Sequence, residues 1–257
     1  MLFPPIIPAE KGSHATVHTR SGYGQALFNR AVALMLGIIG GTSLRFSTLP
    51  ALEKRQVDTP FGNAEVLVGD VALLMRHQQD RPPHRINFRA NMAALALAGV
   101  DRVIAFGSTG SLNHDIVPGT LVIPTDYLSM TGIPSIHDHA VEHVIPELSP
   151  DLSQELLRLI PAARLGGTYV QTEGPRFETV AEIAVLSRFA DIVGMTLASE
   201  ATLARELGMP FAAICTVDNY ANGLADGVLT WDEVLEISRQ YRERTGRILD
   251  TIIQQMA

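Results

Sequence analysis

Cysteine, tryptophan and long apolar runs are all scarce in this chain. Its single cysteine, Cys215, rules out an internal disulfide, and its apolar neighbours mark it as a small buried hydrophobe from a reducing compartment. Cytoplasm is therefore the expected location. Charged residues make up only 18% of the 257 positions, against 46% hydrophobic ones. That balance excludes a disordered acidic tail, a collagen-like polymer and a coiled coil. Basic residues are outnumbered 20 to 27, for a net charge of −7, and such a surface repels a phosphate backbone, so nucleic acid is not an expected partner. The longest uncharged apolar stretch lies between Arg30 and Arg45 and is broken by the glycines of IIGGTSL. It falls short of the roughly 20 residues that cross a bilayer, and no small-residue cleavage site follows it as in a signal peptide. No membrane partner is expected.

Residues 1–34 are rich in Pro, Gly, His and Ser with weak periodicity, and read as a loosely structured N-terminal extension. Residues 35–257 read as one domain without internal repeat or linker. There, short β-branched runs alternate with amphipathic windows, the signature of an α/β domain with a mixed, largely parallel twisted sheet flanked by helices. LGII (36–39) is a buried strand ending in a glycine turn, and EVLVGDVALLM (65–75) is a hairpin about Gly69-Asp70. RHQQDRPPHRI (76–86) is a polar loop, and NFRANMAALALAG (87–99) is a helix capped by Gly99. DRVIAFGSTGS (101–111) reads as a strand followed by a glycine loop. Three more strands that end in polar loops lie in 118–128, 166–178 and 211–223. Apolar residues at 231, 234, 235, 241, 248, 249 and 252 predict a single helix over 231–253. Ligands of open α/β sheets sit beyond the strand C-termini, so the polar loops are where a site is expected.

Several segments are candidates for chemistry. GIIGGTSL (37–44) has glycines that let backbone N–H groups approach a phosphate, with the Thr42 hydroxyl as a further donor. A single-phosphate loop, a plain tight turn and a dinucleotide loop all fit it, although the G-x-G-x-x-G spacing is missing. Arg76 and His77 end a strand together, as a pair of donors for a dianion or as part of a surface salt bridge. Arg89 lies at a helix start, on a solvated face or within reach of the same pocket. FGSTGSL (106–112) offers Gly107, Ser108 and Gly110 to an anion or a flat ring, or is only a turn. His137, His139 and His143 have spacings a metal uses, but third and fourth ligands on a fixed element are missing. No metal is expected and no site at all is the preferred reading; a histidine touching substrate, in this or a neighbouring subunit, ranks above a metal.

With EGPRFET (173–179) and GMTLASE (194–200) the pattern becomes specific. GIIGGTSL, NFRAN, GSL, PG-x-LVIP, GTYV-x-x-EGPRFET-x-AE, GMT and LARELGMP follow in an order and spacing that resemble the purine nucleoside phosphorylase and methylthioadenosine phosphorylase family, across about residues 36–255. The resemblance implies an α/β sheet fold, a homotrimer, and phosphorolysis of a purine N-glycosidic bond with inorganic phosphate as co-substrate and no cofactor. It assigns phosphate to Thr42, Arg76, His77, Ser108 and Thr196, sets Met195 under the ribose and Phe177 against the purine ring, and makes Asn219, Arg76 and His77 the catalytic set. Met195 and Phe177 also have core readings. Three departures stand out: GGTS in place of GGTG, Ser199 where a proline is usual, and Trp231 where a valine or histidine meets the 5′ substituent. For Trp231, packing of the helix against the sheet is the competing reading.

The base-reading positions decide the substrate. Methylthioadenosine phosphorylases carry two aspartates where Asn219 and Ala221 stand here. An amide at Asn219 donates to N7 or O6, and a carboxylate at Glu178 accepts from N1–H, the edge that hypoxanthine and guanine present. Asp218 competes with Asn219 for the base, and turned inward it would soften or reverse that preference. The expected activity is phosphorolysis of inosine, guanosine or 5′-methylthioinosine in purine salvage. A methylthioadenosine phosphorylase, a non-catalytic nucleoside-binding protein and, more remotely, a dinucleotide-binding oxidoreductase are the alternatives.

Overall fold

The structure is a computed structural model that describes residues 35–226 and 229–257. The expected extension over 1–34 lies outside the described residues. Among the described residues eleven strands form one sheet: β1 (Met35–Gly40), β2 (Glu53–Thr59), β3 (Gly62–Val68), β4 (Ala72–Met75), β5 (Val100–Ser111), β6 (Leu121–Ile123), β7 (Asp126–Ser129), β8 (Arg164–Leu165), β9 (Thr168–Gln171), β10 (Ile192–Gly194) and β11 (Phe211–Tyr220). Helices α1 (Phe88–Leu97), α2 (Pro150–Leu159), α3 (Val180–Leu186), α4 (Leu197–Glu206), α5 (Trp231–Gln240) and α6 (Arg242–Met256) flank it.

The central strands alternate between two apolar layers, as strands buried on both faces must. Val103 and Ala105 of β5, with Ala213, Cys215 and Val217 of β11, pack toward α1 and α4. Ile104 and Phe106, with Ala212 and Ile214, pack toward α2 and α6. The parallel pairs β1–β4, β1–β5, β5–β11 and β9–β10 make up the middle of the sheet, and antiparallel β2 and β3 extend one side. The mixed, largely parallel α/β expectation is met.

Strand β5 positions the site. Along one edge it pairs with β11 from Val103 to Ser111. Along the other, β1 follows it only to Ala105, and β10 joins it only at Gly110 and Ser111. Phe106 to Thr109 therefore have no strand partner on that edge, leaving a notch where β1 ends and the chain turns away through a 3₁₀ turn at Thr42–Leu44.

Two expectations need correction. The glycine-rich FGSTGS is the second half of β5 and not a loop, because β11 supplies its ladder on one side. The last helix is two, α5 and α6, broken at Tyr241.

Candidate active site

A cavity of 540 Å³ opens at the notch, within the size range of small-molecule sites. Thr42, Arg76, His77, Ser108, Phe177, Glu178, Met195, Thr196, Asn219 and Trp231 all line it. Ten of the eleven residues assigned to phosphate, ribose, base and 5′ substituent thus meet in one place. The exception is Asp218.

Arg76 follows the last residue of β4, where its backbone N–H continues the ladder to the Gly40 carbonyl at 2.8 Å. Its side chain is buried. Nε and Nη2 donate to the two oxygens of Glu200 at 2.6 and 3.0 Å, while Nη1 donates to the Phe106 carbonyl at 2.8 Å, satisfying a backbone group that the notch leaves unpaired. A Cβ at Gly41 would lie 2.1 Å from Nη1, so only glycine lets the loop close over the guanidinium. Glu200 belongs to the GMTLASE segment, but its pairing with Arg76 leaves no mark in the sequence.

The hydroxyl of Thr196 is free of the usual capping duty at the start of α4. Two other side chains do that work: the Tyr169 hydroxyl accepts from the N–H groups of Thr196 and Leu197, and Gln171 Oε1 accepts from Ser199 N–H. The positive end of the α4 dipole and an uncommitted hydroxyl therefore lie at the cavity wall, a setting suited to an anion. Arg45 and Arg81 also line the cavity and were not singled out in the sequence.

His77 departs from expectation. Its Nδ1–H donates to the Arg81 carbonyl at 2.8 Å. Burial foremost, and then the charges of Arg76 and Arg45, outweigh that bond and lower its pKa. It stands as a neutral imidazole with Nε2 left as an acceptor, matched to a protonated phosphate oxygen rather than to a bare one. It is not a second cation beside Arg76.

At the base-reading positions, a β-bulge separates two neighbours. Val217 pairs with Thr109 and Asn219 with Gly110, so Asp218 is an extra residue in the parallel ladder. Bulges next to sites re-aim side chains. Asn219 lines the cavity, with one amide proton given to the Tyr220 carbonyl at 2.7 Å and the other remaining. Asp218 is buried and accepts a hydrogen bond from Ser108 Oγ. Of the two competitors for the base, Asp218 is the one that does not line the cavity: it is a partner of Ser108. Glu178 is buried at the cavity wall, where Thr172 Oγ1 donates to its Oε1 and Asn222 holds its backbone carbonyl at 3.0 Å. Thr172 and Asn222 were also not anticipated.

Met195 and Phe177 are both half-buried at the cavity, which answers to the ligand reading rather than the core one. A Cβ at Gly174, whose φ is +67°, would strike Met195 Sδ at 2.5 Å, so glycine is required there twice over. Trp231 opens α5, is 50% exposed and lines the cavity. Arg89 does not line the cavity; it pairs with Asp138 and lies 4.0 Å over the Phe61 ring. Of the three histidines, none lines the cavity, and His137 lies 3.6 Å from Glu142. A second hollow of 630 Å³ is lined by residues that include His114, Asp115 and Asp191 but neither Arg nor Lys, so it lacks a fixed cation for a phosphate.

No helix among the described residues is long and apolar enough to cross a membrane. The profile of the phosphorylase superfamily matches residues 35–254. A 6-oxopurine nucleoside phosphorylase of Pyrococcus furiosus is 39% identical over 240 residues, covering 83% of this chain and 90% of that protein. A protein of Methanocaldococcus jannaschii named "probable S-methyl-5′-thioinosine phosphorylase" is 36% identical, covering 85% and 92%. Among solved structures, a mutant adenosine/methylthioadenosine phosphorylase of Schistosoma mansoni in complex with adenine is similar with a TM-score of 0.78 and 29% identity, over 86% of this chain and 90% of that one.

Proposed function

The chain belongs to the phosphorylase superfamily, and from that premise we propose that its cavity carries out phosphorolysis of 6-oxopurine nucleosides. Its relatives make it a purine nucleoside phosphorylase. The observation that carries the 6-oxo reading is the presence, in one cavity, of an anion cradle and of an amide and a carboxylate matched to a 6-oxopurine edge.

Arg76, Thr42 and Thr196 hold the phosphate, with the N-terminus of α4 and His77 Nε2 as further contacts. Phe177 and Met195 bound the nucleoside. As the bond from ribose to base lengthens, positive charge gathers on the sugar, and the phosphate dianion stabilises it before attacking the same carbon. Negative charge gathers on the purine, where Asn219 donates to it and Glu178 accepts from N1–H. This is fixed-dipole stabilisation of a developing charge. The products are free base and ribose 1-phosphate, or 5-methylthioribose 1-phosphate. No covalent intermediate, metal or organic cofactor is required; phosphate is the co-substrate.

Relatives named for 6-oxopurine nucleosides and methylthioinosine support this substrate class. A methylthioadenosine phosphorylase is the second reading, favoured by the solved neighbours named for that substrate. A role in purine salvage accords with the activity, and a single, buried cysteine accords with the cytoplasm as its place. We also propose the homotrimer that the family resemblance implies; exposed Val180, Val185 and Phe189 on and after α3 offer apolar surface for a subunit contact, and sedimentation measures the number of subunits.

The test is a panel of inosine, guanosine, methylthioinosine and methylthioadenosine, each with and without phosphate. Phosphate-dependent base release from the first three is expected. Equal release without phosphate would mark a hydrolase and end the proposal. Methylthioadenosine as the best substrate would establish the second reading.

A further inference from the structure

Ser108 faces two ways. It lines the cavity, and its hydroxyl is bonded to Asp218, which is 2% exposed and does not line the cavity. Ser108 continues the face of β5 that carries Ile104 and Phe106, the face packed toward α6. A carboxylate only accepts hydrogen bonds, whereas a carboxylic acid also donates one. A serine hydroxyl has one proton to give.

We propose that Asp218 is a positioning residue whose protonation directs the Ser108 hydroxyl, and with it the affinity of the cavity for phosphate. With Asp218 ionised, the Ser108 proton is committed to it, and a negative charge stands one side chain from the anion. With Asp218 protonated, the acid donates to Ser108 Oγ, and the hydroxyl turns its own proton to the bound phosphate. The proton moves between Asp218 and solvent, and no covalent bond to substrate is involved. The inference rests on the reading of the cavity as a phosphate site.

The surroundings suit such a device. Burial raises the Asp218 pKa to about 7, against the opposing pull of Ser108 and of Arg244. Arg244 on α6 is the facing cation, but among the described residues it forms no ion pair with Asp218. Its Nη1 donates to the Gly119 carbonyl at 2.7 Å, and its Nε and Nη2 are buried without partners. Cys215 on β11 stays a thiol, its pKa pushed up to about 12 by burial. Arg76 and Glu200 pair with each other, and burial foremost lowers the His77 pKa. Asp218 thus joins burial and a raised pKa to a hydroxyl partner that faces the cavity.

Sulfate tests this, because it remains a dianion while inorganic phosphate itself titrates. Calorimetric titration of sulfate compares wild type, Asp218→Asn and Ser108→Ala between about pH 6.5 and about pH 8.5. Wild-type affinity should fall about fivefold or more across that range, within the limit of about tenfold per pH unit for one coupled proton. Asp218→Asn, neutral throughout, should change less than about twofold. Ser108→Ala should bind more weakly than wild type at the acid end and converge with it at the alkaline end. Parallel falls in wild type and Asp218→Asn overturn the proposal, as does wild-type binding that is flat with pH. If Asp218→Asn does not fold, a wild-type to Ser108→Ala ratio that is constant with pH overturns it. Absence of sulfate binding at any pH rejects the phosphate site itself, which is a different result.

Discussion

Arg76 and Glu200, 124 residues apart in sequence, meet through two hydrogen bonds of 2.6 and 3.0 Å with both side chains only 3% exposed. The fork ties the end of β4 to the first turn of α4, the two elements that also deliver the phosphate donors Arg76 and Thr196. Both ions have been taken out of water, so each is tolerable only while the other is present.

Glu200→Ala should therefore lower stability by about 3–5 kcal/mol in denaturant unfolding and raise the KM for phosphate, although Glu200 is not a proposed phosphate contact. Arg76→Ala should lower stability similarly and also slow turnover, by about 3–4 kcal/mol in activation free energy for the lost donor. Replacing both with apolar residues of similar volume should restore much of the stability and none of the activity. Strictly additive single-variant losses would show that the two side chains are not coupled.

Asn219 and Glu178 set the expected preference for the base. Wild type should disfavour adenosine against inosine by about 100-fold or more in kcat/KM, since a site built to hydrogen-bond discriminates strongly. Asn219→Asp should narrow that gap: when protonated it gives N7 a proton and accepts from a 6-amino group, and when ionised it repels O6. Steady-state kinetics on the two nucleosides decides this. Unchanged selectivity in the variant would remove Asn219 from base recognition.

Much of this site was legible because its parts are local. Thr42 in a glycine loop, Arg76-His77 at a strand end and EGPRFET each announce donors beyond a strand, where α/β sheets bind ligands. What was hidden depends on contacts distant in sequence or on ladder register. No period in the sequence links Arg76 to Glu200 or Tyr169 to the start of α4. The bulge that sends Asn219 to the cavity and Asp218 to Ser108 is a register shift against β5, invisible in the string VDNYANG. FGSTGS resembled a loop because glycine and serine favour turns, and pairing with β11 overrides that preference.

Asp218 also has a signature in stability. Its ordinary pKa is 3.8 and its folded value about 7, so between those values the folded state binds more protons than the unfolded one. Stability from this residue is thus fully present below about pH 4 and declines as pH rises to about 7, by roughly 4 kcal/mol in total. Asp218→Asn should leave stability little changed at acid pH and raise it at pH about 8, removing this part of the slope. A variant that is destabilised at both extremes would mean that the carboxyl's bond to Ser108 matters more than its burial.

Trp231 bears on the 5′ end of the nucleoside. It is the first residue of α5, after an N-cap at Thr230 that is closed by Glu233, so helix geometry fixes where the indole starts. Val234, one turn on, is buried and lines the same cavity, whereas Trp231 is half exposed. Val234 thus anchors the helix while Trp231 offers a broad apolar face and one N–H donor but no acceptor. A 5′-methylthio group gains from that face about 0.3–1.5 kcal/mol of sulfur–aromatic contact, whereas a 5′-hydroxyl loses water and cannot donate to it. Methylthioinosine should accordingly exceed inosine in kcat/KM by about two- to tenfold. Trp231→His should move that ratio toward inosine, since imidazole can accept from the hydroxyl. The chain has one tryptophan, so its fluorescence gives an independent readout: methylthioinosine should alter the wild-type emission. If Trp231→His lowers stability and leaves the ratio unchanged, the indole serves packing and the 5′ specificity lies elsewhere.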